Sequence, residues 1–122
     1  MLNGWQPQVL QLITATVHSH VIGALRGDSA RVYLTGQSMG GNGAWNYVAQ
    51  QTKLFAAVAV VCGYSLEPRA TANRIAKHSL AVLVAHSADD SVIPVSASDD
   101  MARYAAHLRV TVTDRVRVRI RG

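Results

Sequence analysis

The sequence predicts an α/β fold of three to four mostly parallel strands with flanking helices, and two observations carry that expectation. Apolar, β-prone runs recur at Val32–Thr35, Phe55–Cys62 and Leu80–Ala85, with helix-compatible stretches between them. Strands alternating with helices imply βαβ crossovers and hence parallel pairing. The second observation is Gly36-Gln37-Ser38-Met39-Gly40-Gly41 directly after the first run, a glycine-rich turn from strand into helix.

Taken in order, residues 7–26 read as an amphipathic helix. Pro7 suits a first turn, Leu10, Ile13, Val17, Val21 and Leu25 recur at helical spacing, and Gly27 closes it. His18 and His20 on this helix read as surface residues, because no acidic or cysteine partner stands at metal-ligand spacing. Asp28-Ser29-Ala30 is a short turn before the first strand. The helix over about 40–51 offers a small-residue face, Ala44, Val48 and the glycines, with Trp45 or Tyr47 filling space beside it. Phe55–Cys62 is apolar throughout, as expected of a buried parallel strand. A polar connection over 63–79 contains a short helix from about Ala70 to Lys77. Leu80–Ala85 is a second buried strand ending at His86, and Val95–Leu108 a helix with Asp99 and Asp100 in its N-terminal half, where acids are favoured. Arg109–Thr113 reads as a last strand. Arg115–Arg121 alternates strictly, so an extended backbone there puts four arginines on one face and Val116, Val118 and Ile120 on the other.

The 122 residues suit a single domain, residues 1–122, with 109–122 as an arginine-rich tail. The net charge of +5 is concentrated in that tail, whose five arginines and Asp114 give +4 and leave +1 for residues 1–108. A nucleic-acid or anionic-membrane patch is one reading of the tail. Without interleaved aromatics a solvated edge strand or a non-native terminus is preferred, and no nucleic-acid partner is expected. No apolar run approaches the ~20 residues of a membrane span. The N-terminus has no basic segment followed by an apolar core, so a signal peptide is not expected either. Cys62 is the only cysteine, which rules out an internal disulfide and leans toward a cytoplasmic location. No metal site or nucleotide loop is visible, and no cofactor is expected.

Two stretches carry chemistry. In Gly36–Gly40, glycines lacking Cβ atoms let strand and helix meet while Ser38 takes a strained backbone conformation. Ser38 is the candidate nucleophile, and the Met39 N–H, at the positive end of the helix, the candidate oxyanion donor. Chance supplies a bare Gly-x-Ser-x-Gly about 0.04 times in a chain of this length, so the pattern in this context is informative. The bland alternative is a serine that only caps the helix. The second stretch is His86-Ser87-Ala88-Asp89-Asp90-Ser91-Val92-Ile93-Pro94, which puts carboxylates just past the end of a parallel strand, where α/β enzymes gather catalytic groups. Its bland alternative is a turn whose Asp89 and Asp90 cap the next helix.

Together the stretches resemble the α/β-hydrolase superfamily, and most closely the C-terminal half of its esterase and predicted-peptidase group. That group reads Gly-x-Ser-Met-Gly-Gly, then Phe-Ala-Ala, then His-Gly-x-x-Asp-x-Val-Val-Pro; here these are Gly36–Gly41, Phe55-Ala56-Ala57 and His86–Pro94. The resemblance covers about residues 7–108 and implies a partial α/β-hydrolase fold, Ser38 as nucleophile, Asp90 as catalytic acid with Asp89 its neighbour, and one oxyanion N–H from Met39. Gly36, Gln37, Gly40 and His86 take supporting places, His86 being structural in the family. Ser87 stands where glycine is usual. In the family the second oxyanion donor comes from an early strand and loop that would precede everything present, and the catalytic histidine follows the last strand. Here the only histidine after Asp90 is His107, inside a predicted helix.

The implied activity is cleavage of a small-molecule carboxylic ester, thioester or peptide bond through an acyl-Ser38 intermediate. It is expected to be weak in what reads as a truncated chain, because loss of a triad member costs on the order of 10⁴–10⁶ in kcat. The alternative is a non-catalytic α/β module that acts by binding, through its arginine tail. The strand Val32–Thr35 is expected to be an exposed edge that invites self-association.

Overall fold

The computed structural model describes residues 5–108 and the backbone of residues 112–118. Four strands, β1 (Tyr33–Gln37), β2 (Ala57–Val61), β3 (Ala81–Ser87) and β4 (Val112–Val118), form one sheet in the order β1-β2-β3-β4, every pairing parallel. Helix α1 (Pro7–Thr16) precedes the sheet and runs on as π-helical turns over Val17–Ala24. Helices α2 (Met39–Gln50), α3 (Pro68–Ala76) and α4 (Ser96–His107) connect the strands.

The crossover helices form one contiguous layer, α2 on α3 and α3 on α4. Strand side chains alternate between faces. Val58, Val60, Val82 and Val84 point into that layer and share a core with Trp45, Val48, Ile75 and Met101. Tyr47 meets Phe55 edge to face at 5.0 Å and shares a hydrogen bond of 2.7 Å with Thr14 of α1, while Leu10 of α1 reaches the same core.

The opposite face of the sheet is open. Tyr33 is 65% exposed and Leu83 37%, and a shallow groove of about 390 Å³ there is lined by β1, β2 and β3 residues alone. This corrects the expectation of strands buried on both sides: continuous apolarity in Phe55–Cys62 and Leu80–Ala85 does not mean two covered faces, because among the described residues helices pack on only one.

Other boundaries shift. The left-handed residue that ends the first helix is Arg26, at φ 54°, not Gly27, whose N–H instead bonds the Val21 carbonyl. His86 lies inside β3 rather than after it, and Pro68 opens α3. The last strand is Val112–Val118, with one register irregularity between the Leu83–Thr113 and Ala85–Val116 pairs. Register places Arg117 opposite His86. Arg109, Arg119, Ile120 and Arg121, with the side chains of His107, Arg115 and Arg117, lie outside the described residues. His18 and His20 are exposed, as expected. No helix of the described residues is long and apolar enough to cross a membrane.

Candidate functional site

Because the strands are parallel, their C-terminal ends share one rim. Backbone bonds carry the ladder past the strand ends: the Ser38 N–H donates to the Val61 carbonyl at 2.9 Å, and the Cys62 N–H to the Ala85 carbonyl at 2.8 Å. Ser38 after β1, Cys62 after β2 and Asp90 beyond β3 therefore stand in sequence along that rim. Two strand spacings, on the order of 10 Å at the backbone, separate Ser38 from His86, the residue at its level on β3.

Ser38 has φ 53° and ψ −118°, a conformation that costs an L-residue about 1–3 kcal/mol. It is the residue before α2, yet its side chain makes no capping bond, and it is half-exposed. A serine kept only to cap the helix would use its hydroxyl for that purpose. The strain is held by close packing: a Cβ on Gly36 would lie 2.1 Å from the Gly40 carbonyl oxygen, so β1 and α2 meet only without one. Gly40 differs from expectation, because a Cβ there meets nothing within 4 Å. The second residue that must be glycine is Gly41, where a Cβ would lie 2.7 Å from the Gly63 Cα. Gln37 ends β1, and Met39 opens α2, placing its N–H at the helix's positive end.

The acid turn is tightly organised. Asp90 Oδ1 accepts from the Val92 N–H at 2.8 Å and the Ile93 N–H at 2.9 Å. Asp90 Oδ2 lies 3.4 Å from His86 Nε2. The Ile93 and then the Val92 N–H bonds hold the Asp90 carboxyl below the usual aspartate range, with the His86 ring a smaller contributor. Asp89 accepts from the Ser87 hydroxyl. His86 is 5% exposed with both ring nitrogens engaged, Nδ1 with the Ser98 hydroxyl at 2.7 Å and Nε2 with the Ile93 carbonyl at 2.9 Å. So Asp90 is oriented by its own turn, and His86 is locked into the layer between β3 and α4. The fold brings Ser38, Met39, Asp89 and Asp90 to one rim, while His86 lies beneath it.

Three contributors escaped sequence reasoning. Trp5 lies over Gly43, where a Cβ would be 2.3 Å from the indole, and its Nε1 donates to the Met39 carbonyl at 3.1 Å. Asn42 Nδ2 donates to the Tyr64 carbonyl at 3.1 Å, tying the β2–α3 connection to the first turn of α2. Ser98 fixes the His86 ring. A glycine at position 43, inside a helix, was the available signal for the first; the other two are ordinary polar residues whose roles only the tertiary contacts reveal. Among the described residues no three His, Cys, Asp or Glu side chains gather as a metal site would need. The groove of about 390 Å³ on the open sheet face is lined by strand residues well short of this rim.

Neither a protein-family model nor a curated protein matches the sequence. Solved structures do match. A thermostable esterase aligns over 96% of this chain and 31% of its own length, at 28% identity and TM-score 0.75. An acylaminoacyl peptidase from Pyrococcus horikoshii aligns over 93% of this chain and 23% of its own, at 18% identity and TM-score 0.73. A carboxylesterase from Lactobacillus plantarum aligns over 89% and 50%, at 18% identity and TM-score 0.61. The chain thus spans from about a quarter to half of these proteins' lengths.

Proposed function

Because the chain belongs to the α/β-hydrolase superfamily, we propose that it carries the nucleophile and acid of a serine hydrolase acting on carboxylic esters, thioesters or peptide bonds. Ser38 attacks the carbonyl carbon, the Met39 N–H stabilises the developing oxyanion, and water releases the acyl group. Asp90 orients the imidazole that takes the serine proton. The observation that carries the reading is the strained, uncapped Ser38 at φ 53°: strain retained at a bend, with the hydroxyl left available, is characteristic of a nucleophile elbow.

The base is the weak point of the relay. Both ring nitrogens of His86 are engaged, and no histidine follows β4 in the sequence. Turnover by this chain alone is accordingly expected to be slow. Reaction with a fluorophosphonate probe, followed by peptide mapping, tests the assignment. Label on Ser38, absent in S38A, supports it; a folded sample that takes no label overturns it.

One observation favours a second reading, a non-catalytic α/β binding module. Asp90 Oδ1 is wholly committed to its own turn and Oδ2 faces a buried ring, so the acid also serves as a turn organiser. The same labelling experiment separates the two.

A further inference from the structure

A buried chain of hydrogen bonds and packing contacts links the acid turn to the serine bend through groups that the acyl-transfer step does not use. Ser98, in the first turn of α4, is 3% exposed and His86 5%. The Ile93 carbonyl, 2.9 Å from His86 Nε2, can only accept, so Nε2 carries the hydrogen. Nδ1 of the neutral ring is then the acceptor, and the Ser98 hydroxyl, 2.7 Å away, donates to it. With its one hydrogen on Nδ1, Ser98 Oγ lies 3.4 Å from the Gly63 carbonyl oxygen as a packing contact, not as a second hydrogen bond. Gly63 in turn is seated on the serine helix, since a Cβ on it would come within 2.9 Å of the Gly41 Cα. One hydroxyl thus stands where β3, α4 and the β2–α3 connection meet. On one side it fixes the ring that borders Ile93 and Asp90; on the other it touches the backbone that abuts the first turn of α2.

We propose that Ser98 is a positioning residue that sets the acid turn relative to Ser38, acting through the His86 ring on one side and the Gly63 backbone on the other. Its functional meaning rests on the acyl-transfer reading; its geometry does not. Without the hydroxyl, Nδ1 is left buried and unpaired, which disfavours the ring orientation that supports the turn.

The test uses the intact chain, labelled with ¹⁵N. In wild type the His86 ring should be the Nε2–H tautomer with Nδ1 hydrogen-bonded. In S98A the Nδ1 resonance should move to that of an unbonded ring nitrogen, and exchange protection of the Val92 and Ile93 amides should fall about tenfold or more. Fluorophosphonate labelling of Ser38 should slow by about tenfold to a hundredfold. S98T, which keeps the hydroxyl, should restore all three. A wild-type ring in the Nδ1–H tautomer overturns the proposal, even if S98A does not fold. So does an S98A protein with unchanged ring signals and amide protection, or an S98T protein that folds like wild type yet restores nothing. If wild-type Ser38 takes no label, the hydrolase reading fails, while the ring and amide signals still decide whether Ser98 holds the turn.

Discussion

Gly36 and Gly40 bracket the serine symmetrically in sequence, but the packing makes only one of them indispensable. A methyl on Gly36 would lie 2.1 Å from the Gly40 carbonyl oxygen and 2.9 Å from the Gly41 nitrogen, whereas one on Gly40 meets open space. G36A should therefore destabilise the fold by about 3 kcal/mol or more, because backbone must move. G40A, in a helix and without a positive φ, should be neutral or stabilising by up to ~1 kcal/mol. Denaturant midpoints of the two variants check this. Equal losses would show that the glycines act through a shared backbone requirement rather than through contact.

Asp90 links stability to pH. Its two backbone N–H bonds lower the folded carboxyl below its ordinary value. A carboxyl depressed on folding contributes stability that is present above its unfolded value, about 4, and is lost as pH falls through the folded one. D90N should thus be less stable than wild type at pH 7, and the gap should close progressively below about pH 4. Urea unfolding at pH 7, 5 and 3 measures it, and a gap that stays constant over that range rules the linkage out.

His86 should tolerate substitution poorly. Its ring is buried, bonded at both nitrogens and placed among Ile93, Ser98 and Asp90. Replacement by alanine should cost about 2–4 kcal/mol through the cavity and the freed partners. Were it the catalytic base instead, H86A would keep its melting temperature and lose only reactivity at Ser38, so thermal melting alongside probe labelling distinguishes the two roles.

Self-association of two copies is the expected consequence of the open sheet. Among the described residues β1 pairs only with β2, so its outer edge, which carries the exposed Tyr33, is open to pairing, and Leu83 of β3 is exposed on the same uncovered sheet face. Charging that region with Y33K and L83K should shift the protein toward monomer in light scattering at unchanged helical content. Identical mass distributions for wild type and variant would exclude this route.

The sequence was most informative where chemistry and backbone coincide. Gly36–Gly41 foretold a strand–bend–helix, and Ser38 adopts it, because the steric need of a sharp turn is written in the residues that form it. Asp90 was legible from its place beyond an apolar run, but not its capture by the Val92 and Ile93 amides of its own turn; the blander reading had it capping the next helix, whereas α4 begins after Val95 without a side-chain cap. What escaped was anything that depends on which elements lie against one another. Val58 and Val60 look no different in sequence from Ala57 and Ala59, yet the valines are buried and the alanines half-exposed, because helices cover one side of β2. Gly41 and Gly63 are 22 positions apart, and nothing local announces that their backbones touch.

The sheet order follows the chain order, so each strand adds to an edge formed by the one before it. Tyr33 pairs with Ala57 and Ala57 with Ala81, each closing a segment of 24 residues, and Val82 pairs with Val112 across 30. Closing such segments differs in entropy by only a few tenths of a kcal/mol. No pairing therefore has to wait for a distant partner. Such a topology allows the domain to assemble vectorially as it leaves the ribosome, the serine bend being organised while β4 is still unsynthesised.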